Sequence, residues 1–190
     1  MSCSTNDTTL YPLTSSQREI WFDQLLHPEL PLYNVGGYVK LAGAIDPQLL
    51  QQAVELLVQK HDALRLVLTD TVDADGVPMQ QLLPQVPVTV EMQDFSQTQD
   101  PEAEALAWIQ ARFVEPFVLQ GQQPLFRCSL EKISATQYYF SGHHHHLIVD
   151  GFTIALLNRS LAALYTDIQQ AKTPDLVSPS YLSFIEQDRL

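Results

Sequence analysis

Segments with helical periodicity alternate along this chain with segments of strand-like composition, and this alternation constrains its fold most strongly. Two pairs, Asp46-Pro47 and Asp100-Pro101, each precede apolar residues at helical spacing. Because Asp favours the N-cap and Pro the first helical turn, each pair predicts a helix start. The predicted order is helix, strand, helix, strands, helix, strands, helix. This order predicts an α/β fold in which a mixed β-sheet is flanked by helices.

Local signals predict the remaining elements. Thr14 and Gln17 have the spacing of a capping box, which predicts a helix that runs to about Leu26. Its predicted apolar stripe consists of Ile20, Trp21 and Leu25. Strands are predicted at 38–41, 64–68, 77–83, 86–92, 125–133 and 137–145. Asp150-Gly151 then precedes a long predicted helix, and Tyr181 opens a short final one.

Composition excludes several classes of function. The 190 residues are 45% hydrophobic, which is enough for a core. Lys and Arg number 10 against 22 Asp and Glu, so the formal charge is −12. A chain this acidic repels phosphate backbones and anionic lipid surfaces, so neither nucleic acid nor a membrane is predicted as a partner.

The cysteines and the N-terminus indicate a cytoplasmic protein. Cys3 and Cys128 form no disulfide framework and are predicted to be free thiols in a reducing compartment. The first residues lack the basic and apolar regions of a secretory signal. No apolar run reaches the roughly 18 to 20 residues that a membrane helix needs.

Four consecutive histidines, His143 to His146, are the most informative residues for function. An imidazole can accept and return a proton near neutral pH. Alternation along a strand puts His144 and His146 on one face and the other two on the opposite face. A zinc site gathers three or four ligands, so no metal is predicted here. His143 and His144 are interpreted as core groups bonded to the backbone.

Asp150 and Gly151 follow the histidines and lie where the next predicted helix begins. Asp150 is placed to cap it, and its carboxylate could also hold the loop through an ion pair; the two interpretations are compatible. Gly151 is predicted to allow a turn that a residue with a side chain would resist.

These residues carry a family resemblance. His145-His146-Leu147-Ile148-Val149-Asp150-Gly151 matches the H-H-x-x-x-D-G motif of the condensation domains of nonribosomal peptide synthetases. Thr14 to Phe22 resembles the first conserved segment of that family, and Tyr33-Asn34-Val35 follows where such domains often carry Y-N-I. Lys60 to Arg65 resembles R-H-E-x-L-R, with Lys and Asp replacing Arg and Glu. Tyr181 to Phe184 resembles Y-x-D-F/Y, with Ser183 in place of Asp.

The resemblance implies a fold and a domain organisation. Condensation domains resemble chloramphenicol acetyltransferase and have two similar lobes with the active site between them. The match covers the N-terminal lobe only, so the chain looks like a first half. The predicted division is a flexible leader at 1–10, the lobe at 11–175 and a connection toward the missing C-terminal lobe at 176–190.

The resemblance also implies an amide-forming acyltransferase. A donor acyl or aminoacyl thioester and an acceptor amine arrive on the phosphopantetheine arms of two carrier proteins, and no cofactor is bound directly. The implied partners are carrier domains, the C-terminal lobe and a neighbouring adenylation domain. The isolated chain is expected to be inactive.

The resemblance assigns roles to six residues. His146 is the catalytic histidine, as a general base or as a positioning group, and His145 shapes the site. Gly151 places its backbone N–H near the reacting thioester. Asp150 is structural and pairs with Arg65, and Arg18 either joins the structural network near the site or is solvated.

The subtype of condensation domain and the class of protein both stay open. The chain resembles starter condensation domains, which accept an aryl or fatty acyl donor. The resemblance lies in segments 20–38 and 146–154 and in a start close to the first motif. One alternative is a lobe of a stand-alone acyltransferase that uses coenzyme A or a carrier-bound acyl group. Another is a non-catalytic lobe that docks carrier proteins.

Overall fold

A computed structural model describes residues 9–188, which form two β-sheets and five α-helices. The helices are α1 (Ser15–Leu26), α2 (Pro47–Lys60), α3 (Pro101–Phe113), α4 (Gly151–Gln169) and α5 (Tyr181–Gln187). The strands are β1 (Leu10–Tyr11), β2 (Asn34–Ala42), β3 (Leu66–Val72), β4 (Pro78–Leu82), β5 (Val90–Asp94), β6 (Phe126–Lys132) and β7 (Gln137–His145). The predicted α/β class is confirmed.

The helix starts follow the predicted capping signals. Thr14 and Gln17 form a complete capping box at the start of α1. Asp46 and Asp100 cap α2 and α3 through their side chains, and each helix has Pro in its first turn. The final strands and helices also lie where the sequence predicts them.

Two predicted strands shift for local reasons. The strand predicted at 64–68 begins only at Leu66, because Asp62–Arg65 form a 3-10 turn. The strand predicted at 86–92 becomes β5 at Val90–Asp94. Pro87 has no N–H to donate, so the residues around it cannot extend a regular ladder.

The larger sheet has the order β2-β7-β6-β5 and is mixed, because β5 and β6 are parallel while the other neighbours are antiparallel. Helices α2 and α4 cover one face of it over the main apolar core. A smaller hydrophobic cluster lies under α3 and contains Ile133 and Tyr139. The second sheet, β1-β4-β3, is antiparallel.

The segments at the two chain ends bear on the predicted division. Residues 1–8 of the predicted leader, and with them Cys3, lie outside the described residues, and Leu10 already belongs to β1. In the predicted connection, Ile185 of α5 is buried. None of the helices between residues 9 and 188 has the length and apolar character needed to cross a membrane.

Helix α1 corrects one prediction about burial. Ile20 and Trp21 pack partly against the core, but Leu25 is 49% exposed. The buried residues of α1 are Gln17 and Gln24. These two buried side chains are polar because each donates to backbone: Gln17 to Leu147 in the turn after β7, and Gln24 to His27 and Leu30.

Candidate active site

His146 lies at the end of the central strand β7, in an open cleft. The strand ends at His145, and His146 begins the turn that leads to α4, so the predicted alternation does not extend to it. Its backbone N–H donates to the carbonyl of Tyr33 at 2.9 Å, while its side chain is exposed. The cleft has a volume of about 530 Å³ and is bordered by α1, the histidine turn, the start of α4 and α5.

The turn beneath His146 is buried and tied to α1. Leu147, Ile148 and Val149 are all nearly inaccessible. The side-chain amide of Gln17 donates to the carbonyl of Leu147 at 2.8 Å. Gln80 on β4 donates to Gln17 Oε1 at 2.8 Å and to the Pro12 carbonyl at 2.9 Å. This amide network fixes the turn, and therefore the backbone that presents His146.

Sequence reasoning missed the part that glutamines play in this support. The capping-box signal identified Gln17 only as a helix-start residue. Its side-chain oxygen does accept from Thr14 N at 3.0 Å, but its amide reaches across to the histidine turn. No local pattern marks Gln80, because its contacts are distant in sequence.

His145 is buried behind the cleft and is held as a neutral ring. The N–H of Leu147 donates to its Nδ1 at 3.2 Å, so the ring proton sits on Nε2, which faces Gln24 Oε1 at 3.5 Å. Gln24 presents that oxygen because its amide donates to the carbonyls of His27 and Leu30. Burial and the neighbouring His146 lower the pKa of His145 to about 4.

His143 and His144 lie on opposite faces of β7. His143 is buried against the ring of Phe113, and His144 stacks on Phe126. Burial lowers the pKa of each to about 4. Nε2 of His143 and Nδ1 of His144 have no hydrogen-bond partner within residues 9–188. His143 lies in the core as predicted, but the predicted bond to the backbone is absent. Across that part of the chain, no three His, Cys, Asp or Glu side chains gather into a metal-binding group.

Asp150 caps α4 as predicted. Its Oδ1 accepts from Thr153 N at 2.7 Å and from Thr153 Oγ1 at 2.6 Å. These bonds hold the pKa of Asp150 below its ordinary value. Its carboxylate is thus used by the helix, and neither ring nitrogen of His146 has a hydrogen-bond partner in the described chain. The cleft presents an imidazole without a carboxylate partner.

The predicted pairing of Arg65 with Asp150 is wrong in this structure. Arg65 donates instead to the carbonyl of Val58 at 3.1 Å and to that of Leu83 at 2.8 Å. These carbonyls lie at the end of α2 and just after β4. Asp150 instead bonds Thr153 through its Oδ1, and no ion pair joins it to Arg65.

Of the two predicted placements of Arg18, the structural network near the site is wrong. The Arg18 guanidinium pairs with Asp73 at 2.8 Å and with Asp75 at 3.0 Å, in the turn between β3 and β4. It does not line the cleft of His146. It holds α1 to the smaller sheet rather than supporting the site.

The predicted need for glycine in the turn at Gly151 is wrong. Gly151 is the first residue of α4, and its φ is not in the positive range, so the turn does not require glycine. A Cβ added there would meet nothing within 4 Å. The absence of a side chain leaves the backbone at the start of α4 open, with Phe152 next to it 90% exposed.

Comparisons with known proteins agree with this geometry. A family model described as "Condensation domain" matches residues 7–189. Surfactin synthase subunit 1 of Bacillus subtilis (strain 168) is 31% identical over 184 residues, which cover 94% of this chain and 5% of that protein. The isonitrile lipopeptide synthase of Streptomyces coeruleorubidus is 32% identical over 155 residues, 82% of this chain and 10% of that protein.

Solved structures show the same fold. The starter condensation domain of rhizomide synthetase RzmA matches with a TM-score of 0.88 and 31% identity, over 96% of this chain and 44% of that domain. The first condensation domain of the CDA synthetase matches with a TM-score of 0.81 and 24% identity, which bears on the fold alone. The chain therefore spans less than half of the solved domains it matches.

Proposed function

The chain belongs to the condensation-domain family, and from this membership we propose that it is the N-terminal lobe of a domain that forms amide bonds. The donor is an acyl or aminoacyl thioester, and the acceptor is an aminoacyl group with a free amine. The single observation that carries the proposal is His146, which stands exposed in an open cleft on a turn fixed from behind.

The proposed chemistry is aminolysis of a thioester. The neutral amine attacks the carbonyl carbon, a C–N bond forms, and the C–S bond breaks. His146 takes the proton that the amine loses, or holds the amine in line, and the leaving sulfur takes up one proton to become a thiol. Because His145 is neutral and the carboxylate of Asp150 is bound to Thr153, the imidazole of His146 is the group available to handle that proton.

The other five predicted site residues have the following proposed roles. His145 packs behind the turn and shapes the site. Gly151 leaves room for the thioester beside its backbone N–H. Asp150 and Arg65 are structural through their separate bonds to Thr153 and to the carbonyls near α2. Arg18 supports the fold at the β3–β4 turn.

The proposed setting is a multidomain synthetase in the cytoplasm. Both substrates are carried on phosphopantetheine arms of carrier proteins, and a C-terminal lobe and an adenylation domain complete the machinery. Residues 11–175 form the lobe and 176–190 the connection toward the second lobe. Alone, the lobe is expected to be inactive, because half a cleft cannot hold two substrates in attack geometry.

We further propose that the donor is an acyl group, as in a starter domain. Two cavities of about 170 and 370 Å³ lie between α4 and the β2–β7 pair and share Val39, Phe140, Asn158 and Leu161. Their lining is mostly apolar, which suits an alkyl chain. One solved rhizomide synthetase domain is described as a complex with C8-CoA.

Filling the first cavity is expected to shorten the acyl chain that the domain accepts. Gly37 lines this cavity, has no positive φ, and offers a Cβ nothing to meet within 4 Å. Gly37→Leu should lower kcat/KM for an eight-carbon donor about ten-fold and leave a two-carbon donor within about two-fold, because each buried methylene carries about 0.8 kcal/mol. The measurement is the rate of product formation with donors of increasing length, with Gly37→Ala as the smaller step. Equal loss for short and long donors would refute the acyl site.

Adding a methyl group at Gly151 is expected to separate activity from stability. Gly151→Ala should fold at least as well as the parent, because the site is empty and Ala favours helix by up to about 1 kcal/mol. Amide formation should fall about ten- to a hundred-fold, because the thioester is displaced. Thermal unfolding and product formation are measured on the same preparation. An unchanged rate would remove Gly151 from the site.

The function itself is tested by reconstitution. The chain is mixed with its proposed C-terminal lobe, and complex formation is checked by sedimentation. Two loaded carrier proteins are added, and amide product is followed by mass spectrometry. Amide product from the complex, and none from the chain alone, is expected. Product only from acyl-CoA and a free amine or alcohol would indicate a stand-alone acyltransferase instead. No product from an assembled complex would indicate a docking lobe.

A further inference from the structure

Lys60-His61-Asp62, which runs from the last residue of α2 to the first residue of the 3-10 turn, contacts one distant segment of the chain. Each belongs to the junction between α2 and β3, and their partners lie at Asp175 to Tyr181. None of the three takes part in the chemistry proposed for His146. Their contacts span more than 110 residues of sequence.

Each of the three makes its own contact. Lys60 Nζ donates to the carbonyl of Asp175 at 2.7 Å. Nδ1 of His61 lies 3.5 Å from Ser178 Oγ, while its Nε2 lies 3.1 Å from Ser160 Oγ on α4. His61 therefore joins the segment to the long helix that starts beside the site.

Asp62 makes the strongest of these attachments. Its carboxylate accepts from Ser180 Oγ at 2.5 Å and from the backbone N–H of Tyr181 at 3.0 Å. Hydrogen bonds to an ionised carboxylate are stronger than neutral ones. They hold the first residue of α5 directly against the 3-10 turn.

The segment held in this way forms one wall of the cleft. Tyr181 and Phe184 of α5 line the cavity that contains His146. The far end of α5 is tied down as well, because Asp188 accepts from the N–H of Ser15 at 2.8 Å. Helix α5 is thus bridged between the end of α2 and the start of α1.

From these contacts we infer that Lys60-His61-Asp62 is a clasp that positions α5 as a wall of the His146 cleft. The three are positioning residues, since they act through Tyr181 and Phe184. Because 176–190 leads toward the proposed second lobe, the clasp also sets the direction in which the chain leaves this lobe. The effect on catalysis rests on the proposed function; the effect on α5 does not.

Hydrogen exchange of the 190-residue chain tests the clasp without activity. Asp62→Ala should raise amide exchange in Tyr181–Gln187 at least about ten-fold and leave β6 and β7 unchanged. Asp62→Asn keeps an acceptor for Tyr181 N–H and should restore most of the protection. Asp70→Ala, an exposed acid on β3, is the matched control and should change nothing. Unchanged exchange of α5 in a folded Asp62→Ala protein would overturn the clasp.

Kinetics of the reconstituted domain test the positioning. Asp62→Ala should lower kcat about ten-fold with KM changed less than about two-fold, because the variant misplaces a wall of the cleft without removing a lining side chain. Rescue by Asp62→Asn is expected. Faster exchange of α5 with an unchanged kcat would overturn the positioning role. If the parent domain itself forms no amide, the proposed function has failed, and the exchange result alone decides the clasp.

Discussion

Lowering the pH from 7 to 5 is expected to destabilise this lobe by about 4 to 6 kcal/mol, because three neutral histidines are held inside it. The pKa of each of His143, His144 and His145 is lowered to about 4. The unfolded chain binds protons on these rings below about pH 6.5, whereas the folded chain does not until about pH 4, so stability falls across that window. At pH 5 each ring costs up to about 2 kcal/mol, and domains of this kind have about 5 to 15 kcal/mol in all.

Urea unfolding at pH 7, 6 and 5 measures this loss. His143→Leu should reduce the loss by about 2 kcal/mol, because one buried titrating ring is gone and its unpartnered Nε2 with it. His27→Ala, which removes an exposed ring instead of a buried one, is the matched control. Equal stability at pH 7 and pH 5 would contradict the buried, neutral state of the histidines.

Buried Glu131 works in the opposite direction. It is fully inaccessible, accepts from Ser141 Oγ at 3.0 Å, and burial raises its pKa above the ordinary value. The folded state therefore binds this proton more readily than the unfolded state, and the group favours folding as the pH falls toward the ordinary Glu range. One such group offsets only part of the effect of three histidines. Glu131→Gln should make the loss of stability on acidification steeper, since the offset disappears.

Local signals predicted the parts of the fold that depend on local chemistry. The Asp-Pro pairs and the Thr14–Gln17 capping box each act within a few residues, and α1, α2 and α3 start where these signals lie. The late start of β3 follows from the 3-10 turn before it, and that of β5 from the missing N–H of Pro87. The order of the helices and strands was then enough to predict the class of fold.

Long-range contacts were beyond the same reasoning. The burial of Gln17 depends on a carbonyl 130 positions away, and periodicity gives no sign of it. The expected Arg65–Asp150 pair failed because nearer groups satisfy both side chains. The catalytic role of His146 stays a prediction, and its place beyond the end of β7 depends on where the strand stops, which the sequence pattern does not give.

Replacing His146 is expected to have the largest effect on function. His146→Ala should lower the rate of amide formation about 10²- to 10⁴-fold, the range that a positioned proton-transfer group contributes. The fold should be preserved, because the ring is exposed and makes no hydrogen bond among the described residues. His27→Ala, which removes another exposed imidazole that does not line the cleft, is the matched control.

The most direct measurement is therefore the single-turnover rate of amide formation by the reconstituted domain, compared between the parent, His146→Ala and His27→Ala. Loaded donor and acceptor carrier proteins are mixed with each, and product is followed by mass spectrometry. The proposed function predicts a rate at least about 100-fold lower for His146→Ala and an unchanged rate for His27→Ala. A His146→Ala rate within about three-fold of the parent, in a domain shown to be folded and assembled, would contradict it.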